Sequence, residues 1–172
     1  FAKANEGNPV VLCAQGPAPS GASLEAFAEL GIDMVPGTGL LAAAIPGATL
    51  GWLTFLKDHG TFSLKEVLDA AIGYAKNGYP ATSKVVEYIG RMEPLFTMHW
   101  GPSAEVYLPN GEVPAVGQLL TNPALAQTYQ RLVDVESEAL GSGATRDAAL
   151  EAVIDEWTGG FVAEAIDEFA KT

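Results

Sequence analysis

Positive charge is scarce in this chain: nine Lys and Arg stand against 21 Asp and Glu, for a net charge of −12 and a pI near 4.4. That balance excludes a nucleic-acid backbone or an anionic membrane surface as partner, because both repel a polyanion. Charge of either sign is also thin, at 17% against roughly a quarter in typical soluble domains. Hydrophobic residues make up 48% and the mean hydropathy is positive. A chain so short of solvent-facing side chains is expected to bury part of its surface against other protein. Cysteine is reduced to Cys13, which excludes an internal disulfide and leaves the redox compartment undecided. Beside Val10, Val11 and Leu12, it is expected to be a small buried hydrophobe.

Histidine is limited to His59 and His99, and no Glu-x-x-His or His-Glu-x-x-His spacing occurs. A histidine-based metal site is therefore not expected. The longest apolar run, Leu40 to Leu56, is broken by Pro46, Gly47 and Gly51, and is short for a bilayer span. It is expected to be core. The N-terminal stretch FAKANEGNPVVLC lacks both an initiator Met and the hydrophobic region of a signal peptide, which suggests a processed or truncated piece of a longer protein. Cellular localisation is unknown from these features. No Gly-x-Ser-x-Gly elbow occurs, and GSGAT lacks the Lys and the preceding strand of a phosphate loop.

What is present is helical punctuation. The length suits one ordinary domain. A short β element is expected at the N-terminus: the end of a strand, a turn at Asn5 to Pro9, and a second strand at Val10 to Ala14. QGPAPSG then stops regular structure. Sheet strands and turn thus occupy residues 1–19, and residues 20–172 form a mostly α region. Helices are expected from Ser23 to Leu30, closed by Gly31, and from Gly47 to His59, closed by Gly60.

The third helix carries the fullest set of signals. Ser63 and Glu66 form a capping box, with Phe62 and Val67 as a hydrophobic staple. Leu64, Val67, Leu68, Ala71, Ile72 and Ala75 make an apolar stripe at i, i+3, i+4, i+7 spacing. Gly78 supplies the left-handed residue that ends it, before Pro80. A fourth helix, capped by Thr82 or Ser83, is expected to run to about Met92, where Pro94 interrupts it. From there to Gly117 an irregular excursion with at most a brief hairpin is expected. Asn122 and Pro123 open a long helix toward Ala139, with Leu125, Tyr129, Leu132 and Val133 on its buried stripe. After the GSGAT link, two helices follow, at Arg146 to Trp157 and Phe161 to Lys171.

Few residues here suggest chemistry. His59 lies in the last turn of its helix, where a cation is favoured by the carbonyl ends. His99 and Trp100 lie in the excursion, with packing the expectation and pocket lining the alternative. Asp134, Glu136, Glu138 and Glu151, Asp155, Glu156 fall mostly on polar helix faces and read as solvated surface. On its own the chain presents no persuasive active site.

Three stretches in order resemble one family. GPAP at Gly16 to Pro19, the segment VPGTGLLAAAIPGATLGWLTFLKDHGTFSLKEVLDAAIGYAKNGYP, and YLPNGEVPAVGQLLTNPALAQTY are similar to the middle of the large chain of γ-glutamyltransferases, the γ-glutamyltranspeptidase family. The likeness covers nearly the whole chain and is densest from Pro46 to Pro80.

The resemblance implies an N-terminal-nucleophile hydrolase with an αββα fold, of which this chain is a helical part. It implies a zymogen that cuts itself by autoproteolysis, after which the N-terminal Thr of a small chain attacks an amide carbonyl with its own α-amino group as base. The acyl group then passes to water or to an amine acceptor, and the implied chemistry needs no cofactor or metal. The nucleophile-bearing segment and the glycine-rich start of the large chain are absent from this sequence. The implied partners are therefore a small chain bearing an N-terminal Thr, the remaining part of the large chain, and a small-molecule amide substrate. Members acting on γ-glutamyl compounds place an Arg just ahead of the Ala-Pro pair to hold the substrate α-carboxylate. Here the aligned stretch is CAQGPAP, with Gln15 at that position. A neutral amide makes no bidentate charged contact, so altered substrate choice is implied. Gln15, Gly16 and Pro17 are the candidate substrate-binding residues, and no residue of this chain is a catalytic candidate. The alternative is an independent α-helical binding module without catalytic activity, recognising its partner through Met98 to Gly117.

Overall fold

Hydroxyl and amide side chains start five of the helices described, each accepting the otherwise unpaired amide three residues on. In a computed structural model that describes residues 7 and 9–171, Ser23 opens α1 (Leu24–Glu29), and α2 (Ala48–His59) follows without a side-chain cap. Ser63 opens α3 (Leu64–Asn77) and Thr82 opens α4 (Ser83–Met98). The helix α5 (Gly101–Tyr107) begins with Pro102 in its first turn. Asn122 accepts the Leu125 amide at 3.0 Å to open α6 (Pro123–Gly141). Thr145 opens α7 (Arg146–Thr158), and α8 (Phe161–Ala170) ends the described chain. Two short strands, β1 (Tyr79–Pro80) and β2 (Leu119–Leu120), pair antiparallel with Tyr79 opposite Leu120.

The described residues fall into two compact units, one within Phe1–Phe62 and Val135–Thr172, the other Ser63–Asp134. In the first, α7 packs on α2 and on α8. Ala149, Leu150 and Val153 of α7, Leu53 and Leu56 of α2, and Val162 of α8 are buried. Arg146 ties α7 to the end of α2: its guanidinium donates to the carbonyls of Leu56 (2.7 Å), Lys57 (3.2 Å) and Phe62 (3.1 Å). Leu56 and Lys57 lie in the last turn of α2, where the Leu56 carbonyl also accepts the Gly60 amide at 2.9 Å, and Phe62 lies in the loop beyond. Beside them, the Lys57 ammonium meets Glu151 at 2.6 Å, and this hydrogen bond holds the Lys57 pKa above its ordinary value.

The second unit centres on Ala81, Ile89, Phe96, Leu108 and Leu120. Ile89 and Phe96, seven apart, lie on one face of α4. Trp100 packs against this cluster, and Tyr107 stacks on Phe96 with ring centroids 5.7 Å apart. The two strands close the unit, helped by Ala81 donating to the Gln118 carbonyl at 2.8 Å and Asn122 to the Ala75 carbonyl at 2.7 Å.

Most expected elements are present with their caps, and several expectations require correction. The strand expected at Val10 to Ala14 does not form; those residues lie outside any ladder, because β-branched side chains cannot make a strand without a neighbour to pair with. The preceding strand and most of the Asn5 to Pro9 turn lie outside the described residues. Cys13 is exposed rather than buried, although Ala14 beside it approaches Gly51 of α2. The run Leu40 to Leu56 is core only in part: Gly51, Leu53 and Leu56 of α2 are buried, whereas Leu40 before the helix is 65% exposed and Trp52 within it 72% exposed.

Pro94 does not end α4, which continues to Met98. The prolyl ring removes one amide bond, but buried Phe96 anchors the following turn in the core, and tertiary packing outweighs the local loss. The excursion expected after it contains α5 and a 3₁₀ turn at Pro109–Gly111; Pro102 favours a first turn rather than breaking it. On α6 the buried stripe uses Ala126, Leu132 and Val133, with Leu125 38% exposed. Glu136, expected on solvated surface, is 2% exposed, because it continues that stripe three residues after Val133.

Candidate functional site

The segment carrying Gln15, Gly16 and Pro17 bends at Gln15 and turns at Gly16, whose φ of +82° is a left-handed conformation favoured by glycine. Pro17 then accepts the Ile45 amide at 2.9 Å, fastening the turn to the residues that precede α2. The contact between the two backbones is close. A β-carbon on Gly47 would lie 2.4 Å from the Gly16 nitrogen, and one on Gly16 would lie 1.9 Å from the Ile45 carbonyl oxygen. Glycine at both places allows this approach. Gln15 is exposed and its side-chain oxygen accepts a weak S–H bond from Cys13 at 3.9 Å.

The electrostatic setting is the start of a helix. Gly47 caps α2 through its backbone alone, so the first-turn amides keep the partial positive charge of a helix N-terminus. Nearby, Trp157 of α7 donates its indole N–H to the Pro46 carbonyl at 3.4 Å. The structure thus brings Gln15, Gly16 and Pro17 together with Pro46 and Gly47 at one end of α2.

Other candidates from the sequence take structural places. His59 ends α2 with its ring 5.5 Å from that of Phe55. His99 is exposed at the C-terminal end of α4. Glu151 pairs with Lys57, Glu156 accepts the Phe161 amide at 3.3 Å, and Asp134 accepts from Gln130 at 2.9 Å. No group of three His, Cys, Asp or Glu among the described residues is placed to hold a metal ion. The second unit has an open cleft of about 350 Å³ lined by Tyr74, Tyr79, Tyr107, Leu120, Asn122 and Tyr129, among others. Sequence reasoning missed this cleft, because Tyr107 joins it only through α5; neither His99 nor Trp100 lines it.

A family model described as Gamma-glutamyltranspeptidase matches residues 1–165. The chain belongs to the γ-glutamyltranspeptidase family. Among curated relatives, this family member is 34% identical over 134 residues to the oxamate amidohydrolase proenzyme of Klebsiella pneumoniae, a match covering 74% of this chain and 25% of the relative. Among solved structures it is similar to LmbA2991HD, with TM-score 0.82 and 45% identity over 90% of this chain and 26% of the other. It is also similar to Helicobacter pylori gamma-glutamyltranspeptidase, with TM-score 0.65 and 26% identity over 84% of this chain and 41% of the other. The chain therefore spans about a quarter of the length of the curated relative and of the first of these structures.

Proposed function

We propose that this chain is a scaffold segment of the large chain of a γ-glutamyltransferase-like amidohydrolase or acyltransferase, supplying one edge of the substrate pocket at Gln15, Gly16 and Pro17. The observation that carries the reading is the family match over residues 1–165, joined to a fold likeness at TM-score 0.82. In this reading the helices flank the sheets of an αββα sandwich built with polypeptide from elsewhere in the enzyme. The nucleophile is the N-terminal Thr of a small chain released by self-cleavage. Its hydroxyl attacks the amide carbonyl while its α-amino group takes the proton, forming an acyl-enzyme that water or an amine resolves. The curated relative's designation as a proenzyme supports such processing.

The substrate is a small amide. A γ-glutamyl group carries an α-carboxylate, and Gln15 offers it a neutral amide where a charged fork is needed. The substrate is accordingly a γ-glutamyl group held differently or another acyl amide, and the likeness to an oxamate amidohydrolase supports the wider choice. Intact-mass analysis and N-terminal sequencing of the purified whole protein test the assembly. A co-purifying chain that begins with Thr is the expected result; a lone, monomeric 172-residue species active as a binding module overturns it.

A further inference from the structure

We propose that Gly51 of α2, acting with Gly47, is a positioning residue that sets where Gln15 stands, an inference that rests on the reading of Gln15 to Pro17 as one edge of the pocket. A glycine inside a helix is less favourable than alanine, because it loses more backbone freedom, so local helix preference argues for Ala at position 51. The tertiary contact argues the other way. A methyl group on Gly51 would come within 2.3 Å of the Ala14 β-carbon, while the Ala14 α-carbon and the Leu12 Cδ2 are each at 3.5 Å, an ordinary contact distance. Gly51 is buried, so such a group cannot turn out to solvent.

One turn earlier, on the same face of α2, Gly47 admits the Gly16 backbone, with its nitrogen 2.4 Å and its α-carbon 2.6 Å from the place of a β-carbon. Gln15 lies between the two contacts, with Ala14 resting on Gly51 and Gly16 on Gly47. The Ile45–Pro17 hydrogen bond of 2.9 Å holds the far side. The Gln15 amide meets only a weak S–H donor within the segment, so its place is dictated by the backbone on either side. Displacing Ala14 moves the adjoining Gln15. Since the obstruction is between two β-carbons, removing the one on Ala14 relieves it, which makes the coupling separable from general damage to α2.

The test uses the whole enzyme with a simple acyl anilide and a γ-glutamyl anilide as substrates, with kcat, KM and the thermal midpoint measured for Gln15→Ala, Gly51→Ala, Ala14→Gly and the double variant Ala14→Gly/Gly51→Ala. Gly51→Ala is expected to raise KM about tenfold with kcat within about twofold, the pattern of lost ground-state binding. The double variant is expected to return KM to within about twofold of wild type. Should Gly51→Ala fail to fold, Ala14→Val, which crowds the same contact from the loop side, is expected to raise KM in the same way. Unchanged KM in Gly51→Ala, or a rise that persists in the double variant, overturns the proposal for Gly51. Unchanged KM in Gln15→Ala instead sinks the pocket-edge reading itself, so the two failures are distinguishable.

Discussion

Gln15 turns a family likeness into a claim about specificity. It stands on an exposed turn held by a left-handed Gly16, where a side chain can reach a ligand without rearranging the core. A hydrogen bond to a charged group is worth about 1.5–3 kcal/mol, which corresponds to roughly ten- to hundredfold in affinity. Gln15→Arg in the whole enzyme is therefore expected to raise kcat/KM toward γ-glutamyl anilides by at least about tenfold relative to simple acyl anilides. Wild-type protein that already hydrolyses glutathione well, with no gain from the substitution, would remove the argument. The candidate position was legible from CAQGPAP. The contact of Gly16 with Gly47 and of Ala14 with Gly51 was not, because a glycine in a helical pattern looks the same whether it faces solvent or another backbone.

Among the helices, α3 shows how completely local chemistry can specify an element. The Ser63 hydroxyl accepts the Glu66 amide at 3.2 Å, and the Glu66 carboxylate accepts the Ser63 amide at 2.8 Å. That backbone bond first, and the Ser63 hydroxyl second, hold the Glu66 carboxyl below its ordinary value of 4.5. A group with a lowered folded-state pKa contributes stability that is present above its unfolded value and is lost as pH falls through the lowered one. Ser63→Ala is expected to cost about 1 kcal/mol at neutral pH. The stability gap between wild type and Glu66→Gln should narrow in acid, below the ordinary carboxylate range; thermal melts across pH check both, and a gap that widens in acid contradicts the capping account. At the other end Gly78 has φ +95°, a positive value as expected. The weaker readings were those where packing overrode local rules: α4 runs through Pro94 because Phe96 is buried beyond it, and α5 forms where prolines suggested irregular chain.

For the molecule as a whole, the decisive quantity is apolar surface left uncovered. Val11 is 86% exposed, Leu24 87%, Met34 79% and Trp52 72%, well beyond the scattered apolar residues a soluble surface carries. Expressed alone, the chain is expected to bind a hydrophobic dye strongly and to self-associate. The whole enzyme, by contrast, should do neither. A soluble, dye-silent isolated chain would show these side chains to be satisfied without companions. The sequence by itself determined where the capped helices begin, the scarcity of covering charge and the family likeness, because caps, glycines and hydrophobic spacing act within a few residues of one another. Only the tertiary structure decided that Val10 to Ala14 lies outside any ladder, that Glu136 is buried, and that the candidate turn rests on the glycine face of α2. Each of these depends on which distant backbone arrives alongside, and pairing, burial and close approach are properties of two segments together.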